Sequence, residues 1–505
     1  MRAARSRASH QRQASVRETP SAAERASQEI ERLRRENERL REANAEQAKQ
    51  IADLERQLAL RQQNSTTSSK PPSSDGLAGA PRERGRRTKS RRKPGGQPGH
   101  PGHCRPTVAP ARVNHVIHVF PTTCRHCDHA LSARGRVVTG TPRRHQVTEL
   151  PAIEADITEY CCPCVVCPAC RKTTQAPLPE DVTGQFGPQL TALIAYLTVV
   201  CRIPRRLVQA LLEDALHVPI SLGSTQAAWE EASAAVDAPC HELEQALRHE
   251  PVLNGDETGH RTNGEKRWLW AVVAAQFVVY RVATTRAADV LVALLGDVFA
   301  GVLCSDRWKP YQTYHQGALQ FCWAHCKRNI LGAQDLAKTT EAQRFCRDAL
   351  ALHARLFRLW YRFRGDPAAR GGPLTRHELI GKVLPLQRQF FALGERHLAS
   401  PNRDVRNLAI ALFAHHEKFF VFVHHEGVEP TNNAAERALR TAVQWRKIMF
   451  GNRSTDGELA VARLLTVTRT CQMQQRNVLV YLTAAIRAHR RRQIVASLLP
   501  VRLTG

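Results

Sequence analysis

Apolar residues change rhythm several times along this chain of 505 residues. Over 24–62 they recur every seven. With Ile30 at position a, Leu33 and Leu40 fall at d, Ile51 at a, Leu54 at d and Leu58 at a, while Asn37, Asn44 and Gln47 take the places between. That order predicts a coiled coil, in which a buried Asn at a fixes register and favours two strands. The helical period governs 181–248, where FGPQLTALIAYLTVVCRI, RRLVQALLEDAL and SLGSTQAAWEEASAAV predict successive helices. The turn HVPISLGS carries Ser caps for the helix that follows. This arrangement fits a helix-turn-helix-like DNA-binding domain, with the last helix entering a major groove. After Glu250 the period drops to two. VLNGD, RWLWAVVAA and FVVYRVAT predict an antiparallel meander with turns at TNGEK and near Gln276. The helix AADVLVALLGDVF and the short strand GVLCS follow. Trp268 and Trp270 alternate, so they share one face of their strand. Residues 326–425 return to the helical period in three long segments, EAQRFCRDALALHARLFRLWYRF, LIGKVLPLQRQFFALGERHL and DVRNLAIALFAHHEKFFVFV, whose apolar stripes suit core packing. A basic-ended helical tail occupies 471–505.

Other stretches carry no period. Residues 1–23 read as a disordered tail. Residues 63–110 begin as a Ser, Thr and Pro-rich linker and run into RERGRRTKSRRKPGGQPGHPGH. In that arm Arg86, Arg87, Lys89, Arg91, Arg92 and Lys93 are placed to neutralise phosphates. Lys and Arg total 73 against 46 acids, a formal net charge of +27, and the clustering points to nucleic acid. No apolar stretch is long enough for a membrane span, and the N-terminus lacks the apolar region of a secretory signal. A cytoplasmic protein is expected, and its fifteen cysteines then suit metal sites or buried thiols rather than disulfides.

The cysteines cluster at 124-CRHC-127 and 161-CCPCVVCPAC-170, on either side of a stretch rich in β-formers (VVTG, HQVTEL, ADITEY). Paired knuckles of this kind hold a structural Zn²⁺ through four thiolates. Cys124, Cys127, Cys167 and Cys170 are the preferred ligands of a zinc-binding β module over 111–180. Cys161, Cys162 and Cys164 are alternatives, and His126 and His129 substitutes.

Within a basic chain the acids stand out. Asp256 closes the first predicted strand of the meander and Asp306 follows GVLCS. Ligands approach α/β sheets at such strand ends. A third acid comes from EPTNNAAERALRTAVQWRKIMFGN, a predicted helix on which Asn432, Glu436 and Arg440 share a face. Arg437, Arg440, Arg446 and Lys447 on the same helix are candidates for DNA contact. Asp256, Asp306 and Glu436 supply hard oxygen ligands for two Mg²⁺ or Mn²⁺ ions, the arrangement that activates a nucleophile and stabilises a leaving oxygen in phosphodiester chemistry. Glu257 should point to the opposite face and act as a support. His325, in FCWAH, reads first as a buried structural residue and second as one that approaches the acid site.

SSKPPSSDG, GGQPGHPGH, the cysteine knuckles, GDETG with RWLW, SDRWKPY, FCWAH and EPTNNAAERALR, together with the coiled coil, span nearly the whole chain. In this set the chain resembles transposases of the insertion sequence 66 family. The resemblance implies a DDE-type enzyme with a ribonuclease-H-like core in two parts, 249–325 and 426–470, split by the helical insertion at 326–425. It implies Asp256, Asp306 and Glu436 as the metal-binding triad. The chain departs from the family at DRWKPY, where Asp-Gly-Tyr is commoner, and in the extra cysteines of 161–164. The implied function is a DNA transposase that cleaves the ends of an insertion sequence and joins the 3′-hydroxyls to target DNA. Terminal inverted repeats, target DNA, a second copy through the coiled coil and helper proteins of the same element are the implied partners. A zinc and coiled-coil DNA-binding protein with a decayed core, or a ribonuclease-H-like nuclease without strand transfer, are the alternatives. The expected fold class is multidomain α+β.

Overall fold

In a computed structural model, which describes residues 21–62, 106–134 and 137–500, the heptad segment forms one long helix, α1 (Ala22–Gln62). Ion pairs one turn apart, Arg32–Glu29 and Arg35–Glu31, line its surface. Its seam residues Ile30, Leu33, Leu40, Ile51, Leu54 and Leu58 are all exposed, at 52–63%. Near its end, Arg56 pairs with Asp404 at 2.7 Å and Glu55 with Lys338 at 2.5 Å. The basic-arm residues Arg86, Arg87, Lys89, Arg91, Arg92 and Lys93 lie outside the described residues. Those described form two compact units, one drawing on 21–62, 240–443 and 498–500, the other on 106–134, 137–239 and 444–497.

The second unit begins with little regular structure. A short antiparallel hairpin joins β1 (Cys164–Val166) to β2 (Thr173–Gln175). The β-formers of 137–160, expected as part of a β module, make no strand. Val137, Val138, Val147 and Ile157 are 69–87% exposed. β-Branched residues favour strands only where neighbours cover them, and here none do. Helices α2 (Pro188–Val199), α3 (Arg205–Leu216) and α4 (Leu222–Ala235) follow where the periodicity sets them. Pro188 opens α2, and Ser221 caps α4 by accepting from Ser224 N–H. Ile194, Val208, Leu212, Ile220 and Ala228 form their shared core. The open stripe of α4 presents Gly223, Ala227, Glu230 and Ala234 and no cation.

After α5 (Asp237–Leu247) comes the sheet of the first unit. The meander is β3 (Val252–Thr262), β4 (Glu265–Val273) and β5 (Val278–Ala283). Asn263 and Gly264 turn β3 into β4 with φ of 50° and 82°, the paired positive values that make Asn-Gly the favoured two-residue hairpin turn. Then come α6 (Asp289–Leu295), β6 (Val302–Ser305), α7 (Lys309–Tyr314) and an unforeseen short strand, β7 (Leu319–Phe321). The sheet order is β5-β4-β3-β6-β7, antiparallel on the meander side and parallel across β3, β6 and β7. β3 is therefore central.

The remaining helices are α8 (Trp323–Leu336), α9 (Thr340–Phe363), α10 (Arg376–Arg396), α11 (Arg403–Ala414) and α12 (Val421–His424). The third long helix expected in this region breaks at a 3₁₀ turn over His416–Phe419. There Phe419 turns inward against Trp323, with ring centroids 4.8 Å apart, and its carbonyl accepts from Trp323 Nε1 at 2.6 Å. α13 (Asn433–Met449), α14 (Thr455–Met473) and α15 (Val478–Arg490) complete the chain. Within the second unit α14 and α15 pack on α2 and α4, and Arg490 pairs with Glu231 at 2.7 Å. Among the described residues no helix is long and apolar enough to cross a membrane.

Candidate active site

Strand register brings the two aspartates together. β3 and β6 run parallel, with Val252 opposite Val302 and Asn254 opposite Cys304. Two residues beyond that pairing come Asp256, still within β3, and Asp306, just past the end of β6, and the charge of Asp306 is felt at Asp256. The parallel pairing ends at Asn254, but the strand does not, and Asp256 lies in its continuation. β3 continues to Thr262 because β4 goes on pairing with it. Asp256, Ala271 across from it and Tyr280 one strand further share a face of the sheet.

α13 is bound to that face. Tyr280 Oη donates to the Ala438 carbonyl at 2.8 Å, and Asn432 Nδ2 to the Gly255 carbonyl at 2.7 Å. Trp323 N–H reaches the Pro430 carbonyl at 2.9 Å. These bonds carry Glu436, in the first turn of α13, to the aspartates. Down the helix Asn432 is buried, Glu436 half-buried and Arg440 exposed, so one stripe runs from core to surface. Arg437 and Lys447 are exposed, while burial lowers the pKa of the half-buried Arg446.

The acids act on one another electrostatically. Burial raises the Asp256 pKa well above the usual carboxylate value, and the charges of Glu257, Asp306 and Glu436 raise it further. Asp306 is fixed locally, its Oδ1 accepting from Trp308 N–H at 2.8 Å. Glu436 Oε1 accepts from Arg328 Nη2 at 3.0 Å, and His325 Nδ1 stands 3.5 Å away without a hydrogen bond. His325 thus reaches the site, the lesser of the two expectations for it. Its pKa is lowered, first by burial and then by Arg328, which favours the neutral ring. Arg328 has no sequence signal beyond its place one turn after His325.

Among the described residues, one group of three metal-binding side chains has ligand atoms within 4.8 Å of one another: Cys322, His325 and Glu436. Without a metal, burial pushes the Cys322 thiol up to about 12, and Sγ accepts from Asn432 N–H at 3.1 Å, so the group buttresses Glu436.

Glu257 faces the other way, as strand alternation requires. It is buried, pairs with Arg286 at 2.5 Å and accepts from the Tyr311 hydroxyl. Gly255 makes room for that ring, since a Cβ there would lie 3.0 Å from Tyr311 Cε1. Burial raises the Glu257 pKa, opposed by Tyr311 and Arg286.

The two preferred cysteine pairs adopt the same local fold. Cys124 and Cys167 each open a turn in which the backbone N–H four residues on, of Asp128 or Arg171, bonds back to the Cys carbonyl. Asp128 and Arg171 each have positive φ. The pKa of Cys124 is lowered, first by the His126 N–H, and that of Cys167 by the Cys170 N–H. Cys164 instead lies in β1. Among the described residues, the four preferred cysteines do not form a group whose ligand atoms all lie within 4.8 Å of one another.

The profile of a family described as "Transposase IS66 family" matches residues 183–459, which contain all three acids. A second profile, described as "Family of unknown function (DUF6444)", matches residues 15–106. Two proteins of Sinorhizobium fredii are similar. "Uncharacterized protein y4hP" is 24% identical over 389 residues, 70% of this chain and 68% of that protein. "Uncharacterized protein y4qI" is 25% identical over 229 residues, 41% of each chain.

Proposed function

The chain belongs to the IS66 transposase family, and from that premise we propose that it cuts the ends of an insertion sequence and joins the freed 3′-hydroxyls to target DNA, with Asp256, Asp306 and Glu436 as the catalytic acids. The observation that carries the reading is the parallel register of β3 and β6, with the Glu436 charge felt at Asp256. The donor set fits Mg²⁺ or Mn²⁺: oxygen ligands only, and an Asp256 carboxyl whose pKa is raised first by burial and then by the neighbouring acid charges that a cation would offset. Two such ions, when bound, activate the attacking water or hydroxyl and stabilise the leaving oxygen.

The chain's own groups hold the acids in place. Asn432 fixes the start of α13 to β3, Arg328 orients Glu436, and Trp308 N–H orients Asp306. Arg437 and Arg440, beyond Glu436 on the same helix, bind strand phosphates, as do the basic arm, Arg446 and Lys447. Zn²⁺ would be held by Cys124, Cys127, Cys167 and Cys170, whose knuckle turns and lowered Cys124 and Cys167 pKa values suit thiolate ligation. A second copy pairs along the exposed seam of α1. Helper proteins of the same element complete the set of partners.

The test uses labelled DNA bearing the inverted repeats that flank the gene, with and without Mg²⁺. Wild-type protein should cut at the repeat ends and yield joined products. Asp256→Ala, Asp306→Ala and Glu436→Ala should each fall to background. Equal cleavage by wild type and Asp256→Ala would sink the reading, and cutting without joined products would leave a nuclease.

A further inference from the structure

The acid site makes no use of the guanidinium of Arg286, which lies 4.2 Å from the ring centroid of Trp308 and 4.9 Å from that of Trp268. Its position is fixed from behind. Buried Glu257 holds Arg286 through Oε1 and takes the Tyr311 hydroxyl on Oε2, so the guanidinium charge is neutralised where it is packed.

A stack that served only to pack the core would hide its rings. Trp270, on the same face of β4 as Trp268, is 0% exposed, but Trp308 is 41% exposed. Arg286 covers one face of the Trp308 indole, and the residue is still 41% exposed. Its backbone N–H bonds Asp306, so the ring is anchored beside a catalytic acid. Cations flank the stack: Lys266 Nζ sits 4.9 Å over Trp268 at one end, and exposed Lys309 follows Trp308 in the chain at the other.

We propose that Trp308, backed by Arg286 and Trp268, is a stacking platform for an unpaired nucleotide of the DNA next to the cleavage site. A flat, open aromatic face among cations is the combination that takes single-stranded nucleic acid, with the base on the ring and the phosphate on the cations. A base inside a duplex has both faces covered by its neighbours, so the platform selects a frayed end, a tail or an opened step. The proposal rests on the reading of this protein as a DNA-cutting enzyme, and it names the form of DNA that the site holds.

The test is binding of two fluorescent probes to the full-length protein without divalent metal. One is a blunt duplex. The other is the same duplex with a short single-stranded tail carrying 2-aminopurine, a base whose fluorescence is quenched by stacking. Wild type should bind the tailed probe about five- to a hundredfold more tightly than the blunt one and quench the tail. Trp308→Ala should lose the preference and the quenching while binding the blunt duplex as before, and Trp308→Phe should restore much of both. If wild type binds both probes alike, or Trp308→Ala keeps preference and quenching, the platform is a structural stack only and the proposal falls alone. Binding of neither probe would overturn the proposal together with the DNA-cutting reading. Because the blunt probe reports folded, DNA-competent protein, misfolding of a variant is recognised directly.

Discussion

Neighbouring acids at 256 and 257 should respond to removal in opposite directions. Glu257 has a side chain of 0% exposure and serves as acceptor for Tyr311 and partner for Arg286. In Glu257→Ala the buried Tyr311 hydroxyl loses its acceptor, which costs about 1–3 kcal/mol. Arg286, 29% exposed on its side chain, regains part of its loss from water. Repulsion at Asp256 eases and offsets some of the damage. A net loss of about 3 kcal/mol is expected, near the lower end for breaking a buried pair, or about 6–12 °C in Tm for a unit of this size. Glu257→Gln keeps an acceptor and should lose about half as much.

Asp256 works the other way in metal-free protein. Its folded pKa is raised, so folding favours the neutral form. The stability this gives is complete below the unfolded value of about 3.9 and is lost as pH rises toward the folded pKa. Asp256→Asn, always neutral, should therefore melt above wild type at pH 8 in EDTA and close to it at pH 4. The assay is thermal unfolding by circular dichroism at both pH values. The reasoning is refuted if Glu257→Ala melts within about 2 °C of wild type, or if Asp256→Asn melts lower at pH 8.

The same linkage predicts that Mg²⁺ raises Tm more at pH 8 than at pH 5, and that Asp256→Asn reduces the effect; calorimetric scans with and without the ion decide it. Cys167→Ser and Cys170→Ser should lose bound zinc by atomic absorption, whereas Cys161→Ser and Cys164→Ser should keep it. Leu33→Asp with Leu40→Asp should convert dimers to monomers in light scattering, since both seam residues are exposed in the single chain. Asn432→Ala removes the buried bond to Gly255 and should lower stability by about 1–2 kcal/mol in denaturant titration, with cleavage falling as Glu436 loses its anchor.

Local signals in the sequence carried through where local chemistry decides the structure. Asn263-Gly264 gave the hairpin, Ser221 the cap of α4, and the 3.6 period the positions of α2, α3, α9 and α10. The alternation of β3 correctly separated Asp256 from Glu257. Features decided by distant contacts were not legible. β7 is three residues long, too short to show a period, and exists because β6 pairs with it. The break after α11 carries no Gly or Pro; it follows from Phe419 packing on Trp323. VVTG, HQVTEL and ADITEY looked like strands because strand propensity is read without knowing whether a partner is present. Around the acids, Arg286 and Arg328 had no motif to mark them, and Tyr311, though it closes SDRWKPY, gave no sign of its bond to Glu257, since these roles arise only once β3, α7, α8 and α13 meet.

The anchoring of α1 has a mechanical consequence. A helix of 41 residues is about 60 Å long, and its last turns are clamped through Glu55 and Arg56 to the unit that contains Asp256, Asp306 and Glu436. Anything that docks along the seam is therefore held at a set reach from the acids, as at the end of a rigid spacer. Inserting one heptad before the clamp would extend that reach by about 10 Å while keeping the seam on the same side. An insertion out of phase would rotate the seam instead, so the length and the phase of α1 set separate geometric parameters of an assembled pair.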